Sequence, residues 1–358
     1  LSQSINLRKE GRDCLLDEVN MVFKRKIYSK MLEWKTVSHG ESALMIEGAR
    51  RIGKSTIALA FAKNEYEDHM ILDFAQESQD VRHNFEENIG ELDVFFRNLF
   101  LLKGRDLPKG KSVIIFDEVQ LFPAARQAIK FLVQDGRYDY IETGSLISIK
   151  KNVSDILIPS EEFKIKMFPM DFEEFLCAMG KTQLLQLLGE RDWACLSSMQ
   201  QMLTELLRQY YFVGGMPEAV KAYVEREDIW EVRAIHNKII TAYRNDMSKH
   251  APMQQVQRIN MVWNSIPSQL ARDNKKFIYG ALKKGARAND FEIAIQWLID
   301  AGLVYKVHRV NKPALPLKFY EDMSAFKLFL LDSGLLGALS ETPPQQMLIG
   351  NNVFEEYK

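Results

Sequence analysis

The octapeptide GARRIGKS, Gly48 to Ser55, decides how this chain is read. It fits the pattern G-x-x-x-x-G-K-[ST], with an apolar run, Ala43 to Ile46, before it and a helix-prone run, Thr56 to Ala62, after it. Strand, glycine loop and helix is the context that a phosphate-cradling loop requires. Gly48 and Gly53 let the backbone turn so that its N–H groups point inward, and the following helix presents about half a positive charge from its dipole to the same spot. The loop Gly48, Ala49, Arg50, Arg51, Ile52, Gly53, Lys54, Ser55 and Thr56 is therefore the expected nucleotide cradle. Lys54 is expected to neutralise the β and γ phosphates and Ser55 to ligate Mg²⁺. Arg50 and Arg51 could reach a phosphate, although exposure on a turn is the plainer reading.

A second motif lies 63 positions beyond Lys54. KSVIIFDEVQ, Lys111 to Gln120, reads as a buried strand, Val113 to Phe116, ending in two acids. Open α/β sheets bind ligands at the carboxyl ends of their strands, so Asp117 is the expected magnesium residue and Glu118 the expected base for the attacking water. One strand, Met70 to Phe74, intervenes, and a fourth, Tyr138 to Glu142, ends in Thr143, Gly144 and Ser145. That layout predicts an α/β core with a parallel sheet of the added-catalytic-glutamate type, strand order 5-1-4-3-2. The fourth strand then lies between the two motif strands and brings Thr143 or Ser145 near the γ-phosphate, Ser145 being preferred. A fifth strand, Phe163 to Phe168, precedes a capping-box start at Asp171 and Glu174 for a helix over Phe172 to Met179.

Composition narrows the class. Of 358 residues 46% are hydrophobic and 27% charged, as in ordinary globular chains, and the net charge of −1 advertises neither nucleic acid nor membrane. No run approaches the roughly 18 apolar residues of a membrane span. Cys14, Cys177 and Cys195 are far apart and without C-x-x-C spacing, which speaks against a disulfide scaffold or a cysteine zinc site and for a reducing cytoplasm. The six histidines show no ligand spacing. The chain starts at Leu1 without an initiator Met, so further sequence is expected ahead of it.

Six segments occur in order: GARRIGKS, VIIFDEVQ, TGSL (Thr143 to Leu146), MFPMDFEEFL (Met167 to Leu176), YYFVGGMPEAV (Tyr210 to Val220) and YEDMSAFKLFLLDSGLL (Tyr320 to Leu336). Together they resemble a group of bacterial and archaeal ATP-binding proteins of the AAA+ type, in which an ATPase core is joined to a winged-helix region and a C-terminal module like a restriction endonuclease. The resemblance implies ATP and Mg²⁺ as cofactors, nucleotide contacts at Gly48, Gly53, Lys54 and Ser55, and Mg²⁺ and water handled by Asp117 and Glu118. Members of the group continue past the FEEYK of Phe354 to Lys358, so the nuclease-like module is expected to be incomplete here.

Leu184, Leu185, Leu187 and Leu188 mark a helical packing face, and Gly214, Gly215 and Pro217 break the pattern. Helical periodicity returns over Asp228 to Tyr243 and Val256 to Leu270, then come a short stretch Phe277 to Leu282, a helix Asp290 to Ala301 and a strand Leu303 to Val310, a winged-helix order. Over 221–330, 18 Lys and Arg face 11 Asp and Glu, with Lys275, Lys276, Lys283, Lys284 and Arg287 clustered. Non-specific DNA contact through that cluster is one expectation. A lid or interaction module is the other, because the helix FEIAIQWLID offers Glu292, Gln296 and Asp300 and no cation to a groove.

The expected organisation is an N-terminal extension (1–23), an ATPase core (24–180), a helical connector or lid (181–220), a winged-helix-like region (221–320) and the start of a nuclease-like module (321–358). The expected function is Mg-dependent ATP hydrolysis that repositions the winged-helix region. A slow nucleotide-gated switch binding DNA or protein, or an ATP-coupled nuclease in a longer chain, are the alternatives. Self-association is left open, and Arg233, Arg244 and Arg287 are candidate arginine fingers.

Overall fold

The computed structural model describes residues 15–17, 22–38, 40–146, 161–272 and 276–349. Lys275 of the basic cluster and the FEEYK segment lie outside the described residues. The chain divides into two compact units, one over Cys14–Phe168 and one beginning at Pro169.

In the first unit a short ladder, Leu15–Asp17 with Val22–Phe23, leads into α1, Ile27–Ser38. Among the described residues a five-stranded sheet follows, made of β1 (Ala43–Gly48), β2 (Asp68–Asp73), β3 (Ser112–Asp117), β4 (Asp139–Ser145) and β5 (Glu162–Lys166). All neighbours are parallel and the order is β2-β3-β4-β1-β5, which is 5-1-4-3-2 from the other edge. Such strands are covered on both faces, and Ala43 to Ile46 and Ser112 to Phe116 are accordingly buried runs. On one face α2, Lys54–Glu65, packs through Ile57, Ala58, Ala60, Phe61 and Ala62. On the other lie α3 (Gln79–Asn88), α4 (Leu92–Lys103) and α5 (Pro123–Asp135), around edge-to-face rings of Phe74, Phe85, Phe95 and Phe116.

The sheet interior also holds charge. Arg126 of α5 donates to both carboxylate oxygens of Glu162, at 2.7 and 2.8 Å. Glu142, on β4, is fully buried, neither carboxylate oxygen has a hydrogen-bond partner, and desolvation followed by Glu162 holds its pKa well above the usual carboxylate range. A buried acid in that position is kept neutral.

The second unit begins with the expected capping box. Asp171 Oδ1 accepts the Glu174 N–H at 2.9 Å, Glu174 Oε2 accepts the Asp171 N–H at 3.1 Å, and α6 runs over Phe172–Ala178. Leu176 packs with Leu184, Leu196 and Leu206 of α7 (Thr182–Glu190), α8 (Trp193–Ser198) and α9 (Gln200–Val213). This small core packs α6 with the helices that follow it, and the division into compact units falls at Phe168/Pro169. Next come α10 (Pro217–Arg226), α11 (Ile229–His250), α12 (Met253–Leu270), α13 (Ala288–Asp300), β6 (Val304–Val310), β7 (Glu321–Leu330), α14 (Ser333–Leu339) and α15 (Pro344–Ile349).

Two expectations change here. The stretch Phe277 to Leu282 forms only a single 3₁₀ turn, Tyr279–Ala281, before α13. The boundary expected at 320/321 cuts a hairpin, because β7 pairs antiparallel with β6, Val304 opposite Leu330 and Val310 opposite Glu321. Cys195 is a free thiol, but Cys177 is disulfide-bonded, which removes cysteine usage as a ground for a reducing compartment. No helix among the described residues is long and apolar enough to cross a membrane.

Candidate functional site

The sheet order brings the sequence motifs to one edge. Gly48, Asp117 and Ser145 end β1, β3 and β4, and β4 lies between the other two. A parallel sheet gathers its carboxyl ends on one side, which is where such folds take ligands.

The loop needs its glycines for two different reasons. A Cβ on Gly48 would meet Ile52 Cδ1 at 2.4 Å and the Met167 carbonyl oxygen at 2.5 Å. Gly53 sits at φ 93°, in the left-handed region, as the residue capping α2. Arg51 also has positive φ, 68°, a conformation costly for a side-chain-bearing residue and often found at ligand clamps. From outside the motif, Arg25 braces the turn, donating from Nη1 to the Ile52 carbonyl at 3.1 Å and from Nη2 to the Phe168 carbonyl at 2.7 Å. Sequence reading missed this arginine, since it lies 27 residues before Ile52 and matches no motif.

Lys54 is buried and turned inward. Its Nζ donates to the carbonyls of Ala49 at 2.8 Å and Gly48 at 3.3 Å. Burial pushes its pKa down to about 8, against the opposing pull of Glu118 and Asp117. Two neutral carbonyls are weak partners for a desolvated ammonium, so a polyanion in the loop would be a better one.

The acids form the other half. Ser55 Oγ donates to Asp117 Oδ1 at 2.6 Å, and Thr143 Oγ1 donates to the same oxygen. The Glu118 N–H donates to Thr143 Oγ1 at 3.3 Å, and Gln120 Nε2 donates to Glu118 Oε2. Glu118 takes the left-handed region at φ 52°, and that turn puts its side chain beside Gln120 rather than along the strand. Thus Thr143 is the side chain of the fourth strand that joins the acids. Ser145 is buried opposite Gly48 in the β1–β4 register. A cavity of about 670 Å³ opens beside Ser55 and Asp117, walled by Thr56, Leu59, Lys63 and Ile115.

The donor set fits a magnesium ion. A serine hydroxyl and one carboxylate oxygen converge on the edge of a phosphate loop, the sparse hard-oxygen pattern that Mg²⁺ accepts when phosphates and waters complete its shell. Among the described residues no group of three or more His, Cys, Asp or Glu is placed to hold a metal by itself.

The arginines read as fingers lie in the second unit. Arg233 Nη2 donates to the Thr342 carbonyl at 3.0 Å and its guanidinium lies over Phe212, while Arg244 Nη2 donates to Asn264 at 3.0 Å. Lys276, Lys283, Lys284 and Arg287 are exposed.

Residues 40–176 match the family model described as AAA domain, and residues 204–346 match a domain of unknown function. A Walker-type ATPase of Pyrococcus abyssi has the same fold, with TM-score 0.51 at 14% identity over 90% of this chain and 97% of the other. No curated protein sequence matches. The AAA match and the shared fold support a P-loop ATPase family.

Proposed function

We propose that this chain binds Mg-ATP in the Gly48–Thr56 loop, hydrolyses it, and uses the nucleotide state to reposition its C-terminal winged-helix-like region. The observation that carries the reading is the meeting of Ser55 and Asp117 at 2.6 Å at the mouth of a loop whose lysine is desolvated and bonded only to carbonyls. Loop N–H groups and Lys54 bind the phosphate oxygens, Ser55 and Asp117 would hold the magnesium ion, and Thr143 fixes the Asp117 carboxylate. When bound, a magnesium ion would supply charge neutralisation for the phosphates. Glu118 orients the attacking water and takes its proton, and Gln120 fixes the carboxylate that does so. Ser145, one strand pair from Gly48, is proposed to sense the γ-phosphate.

The test is thermal stability. Mg-ATP at about 100 times Kd should stabilise the protein by about 2.7 kcal/mol, a rise of a few degrees in Tm. Lys54→Ala should fold and show no rise. An equal rise in both proteins would remove the loop as the nucleotide site.

A second reading concerns the partner. Lys283, Lys284 and Arg287 are exposed, and none is in an ion pair among the described residues, which favours contact with a phosphate backbone. The outer residues Glu292, Gln296 and Asp300 of α13 make sequence-specific groove reading by that helix a poor fit.

A further inference from the structure

The β6–β7 hairpin carries chemistry that the ATP site does not use. From Val304 to Tyr320 it has four Lys and Arg and no Asp or Glu. Of the two acids that follow, Asp322 already accepts from Arg309 at 2.6 Å, and Glu321 lies 3.9 Å from His308. Lys306 and Lys312 sit over the rings of Phe326 and Tyr320, at 4.3 and 5.6 Å from the centroids, which orients their ammonium groups without neutralising them. Lys306, Lys312 and Lys318 have no ion pair among the described residues.

The same arm exposes apolar side chains that its own fold leaves uncovered. Leu315 is 88% exposed, Phe319 81% and Met323 69%. From Tyr305 outward β6 is solvent-exposed on both faces apart from the half-buried His308, whereas the base of the hairpin is anchored. Phe277 stacks on Phe326 with centroids 5.6 Å apart and planes at 12°, and the Phe277 N–H donates to the Phe326 carbonyl at 2.7 Å. A two-stranded ribbon has little stability alone, so this anchoring keeps a projecting arm in shape. Cations without acids select a polyanion, and an exposed ring among them suits a nucleobase face.

We propose that the β6–β7 hairpin binds single-stranded nucleic acid, with Lys306, Lys312 and Lys318 on the phosphates and Phe319 stacked on a base. This rests on the nucleic-acid reading above and moves the main contact from the Lys283–Arg287 turn to the hairpin; it is independent of the ATP assignment. The experiment is fluorescence anisotropy of labelled single-stranded and duplex 30-mers against the full chain, between 50 and 200 mM salt. Binding should be sequence-indifferent and tighter for the single strand. Lys306, Lys312 and Lys318 replaced together by Ala should flatten the log-log salt slope by about two, at about 0.7 per single-strand phosphate contact. Phe319→Ala should weaken single-strand binding about 5- to 100-fold, with nucleotide binding unchanged. If the hairpin variant keeps the slope and replacement of Lys283, Lys284 and Arg287 flattens it, the hairpin proposal fails and the second reading stands. No binding at 50 mM salt, or binding to anionic lipid vesicles instead, would overturn both while leaving the ATP site untouched.

Discussion

Two buried charges, one in each unit, show how the same physics serves opposite ends. Lys54 and Asp332 both lose water, and burial moves both toward neutrality, Lys54 down to about 8 and Asp332 up to about 6. Their partners differ. Asp332 caps α14 and is saturated with backbone donors, the Gly215 N–H at 2.5 Å and the Leu335 N–H at 2.9 Å, with Gly214 and Gly334 packed so closely that neither tolerates a Cβ. Lys54 is left with two neutral carbonyls at an open sheet edge. A buried charge that is fully bonded is structural, and one left with weak neutral partners is the kind that a ligand of opposite charge would stabilise.

The sharpest way to break this comparison is at the acids. Glu118→Gln should retain ATP-dependent stabilisation and lose turnover by about 10²- to 10⁴-fold, because an amide can hydrogen-bond water without accepting its proton. Steady-state hydrolysis at wild-type rate in that variant would make Glu118 an ordinary strand-end acid.

The counterpart in the second unit is Gly215→Ala. A Cβ there would lie 1.9 Å from the Met170 carbonyl oxygen, and backbone atoms cannot step aside as a side-chain end can. The variant should lose about 3 kcal/mol or more of stability in denaturant unfolding. Little change in the midpoint would mean that the Gly214–Asp332 knot is loose.

Asp332→Asn sharpens the comparison through pH. Burial raises the folded pKa from the ordinary carboxylate value of 3.8 to about 6, so the contribution from this group is fully present below about pH 4 and lost as pH rises through 6. The span is at most about 3 kcal/mol, at 1.36 kcal/mol per pKa unit. Asparagine can still cap the helix, so the variant should fold with a flatter stability profile between pH 4 and 6; an unchanged profile would remove Asp332 as its source.

The smallest effect is proton uptake at Lys54. With its free pKa near 8, the ammonium is mostly neutral at pH 9 and must recharge when phosphates arrive. Calorimetry in buffers of different ionisation enthalpy should detect about 0.9 proton taken up at pH 9 and about 0.1 at pH 7. Equal uptake at both values would mean that Lys54 is not desolvated before binding.

Local chemistry made the nucleotide half readable from sequence. A phosphate loop must have glycines where the backbone turns, a lysine at its end and a strand ahead, and these are neighbours in the chain, so GARRIGKS and VIIFDEVQ located the edge and fixed the order of its strands. Helices α3, α4 and α5 gave no such signal, although Ser78 caps α3 through the Val81 N–H at 3.3 Å and Pro123 opens α5.

The GARRIGKS loop, the paired acids at Asp117 and Glu118, and the capping box at Asp171 and Glu174 were determined by the sequence alone, because each is a short-range arrangement within a few residues. Tertiary structure alone decided that Thr143 reaches Asp117, that Arg25 holds the loop from 27 residues away, that α6 joins the second unit, and that YYFVGG and LLDSGLL meet through Asp332 and Gly215. Those contacts depend on which strands lie side by side and which backbones approach closely, and such distances are set by packing between segments that have no local reason to meet.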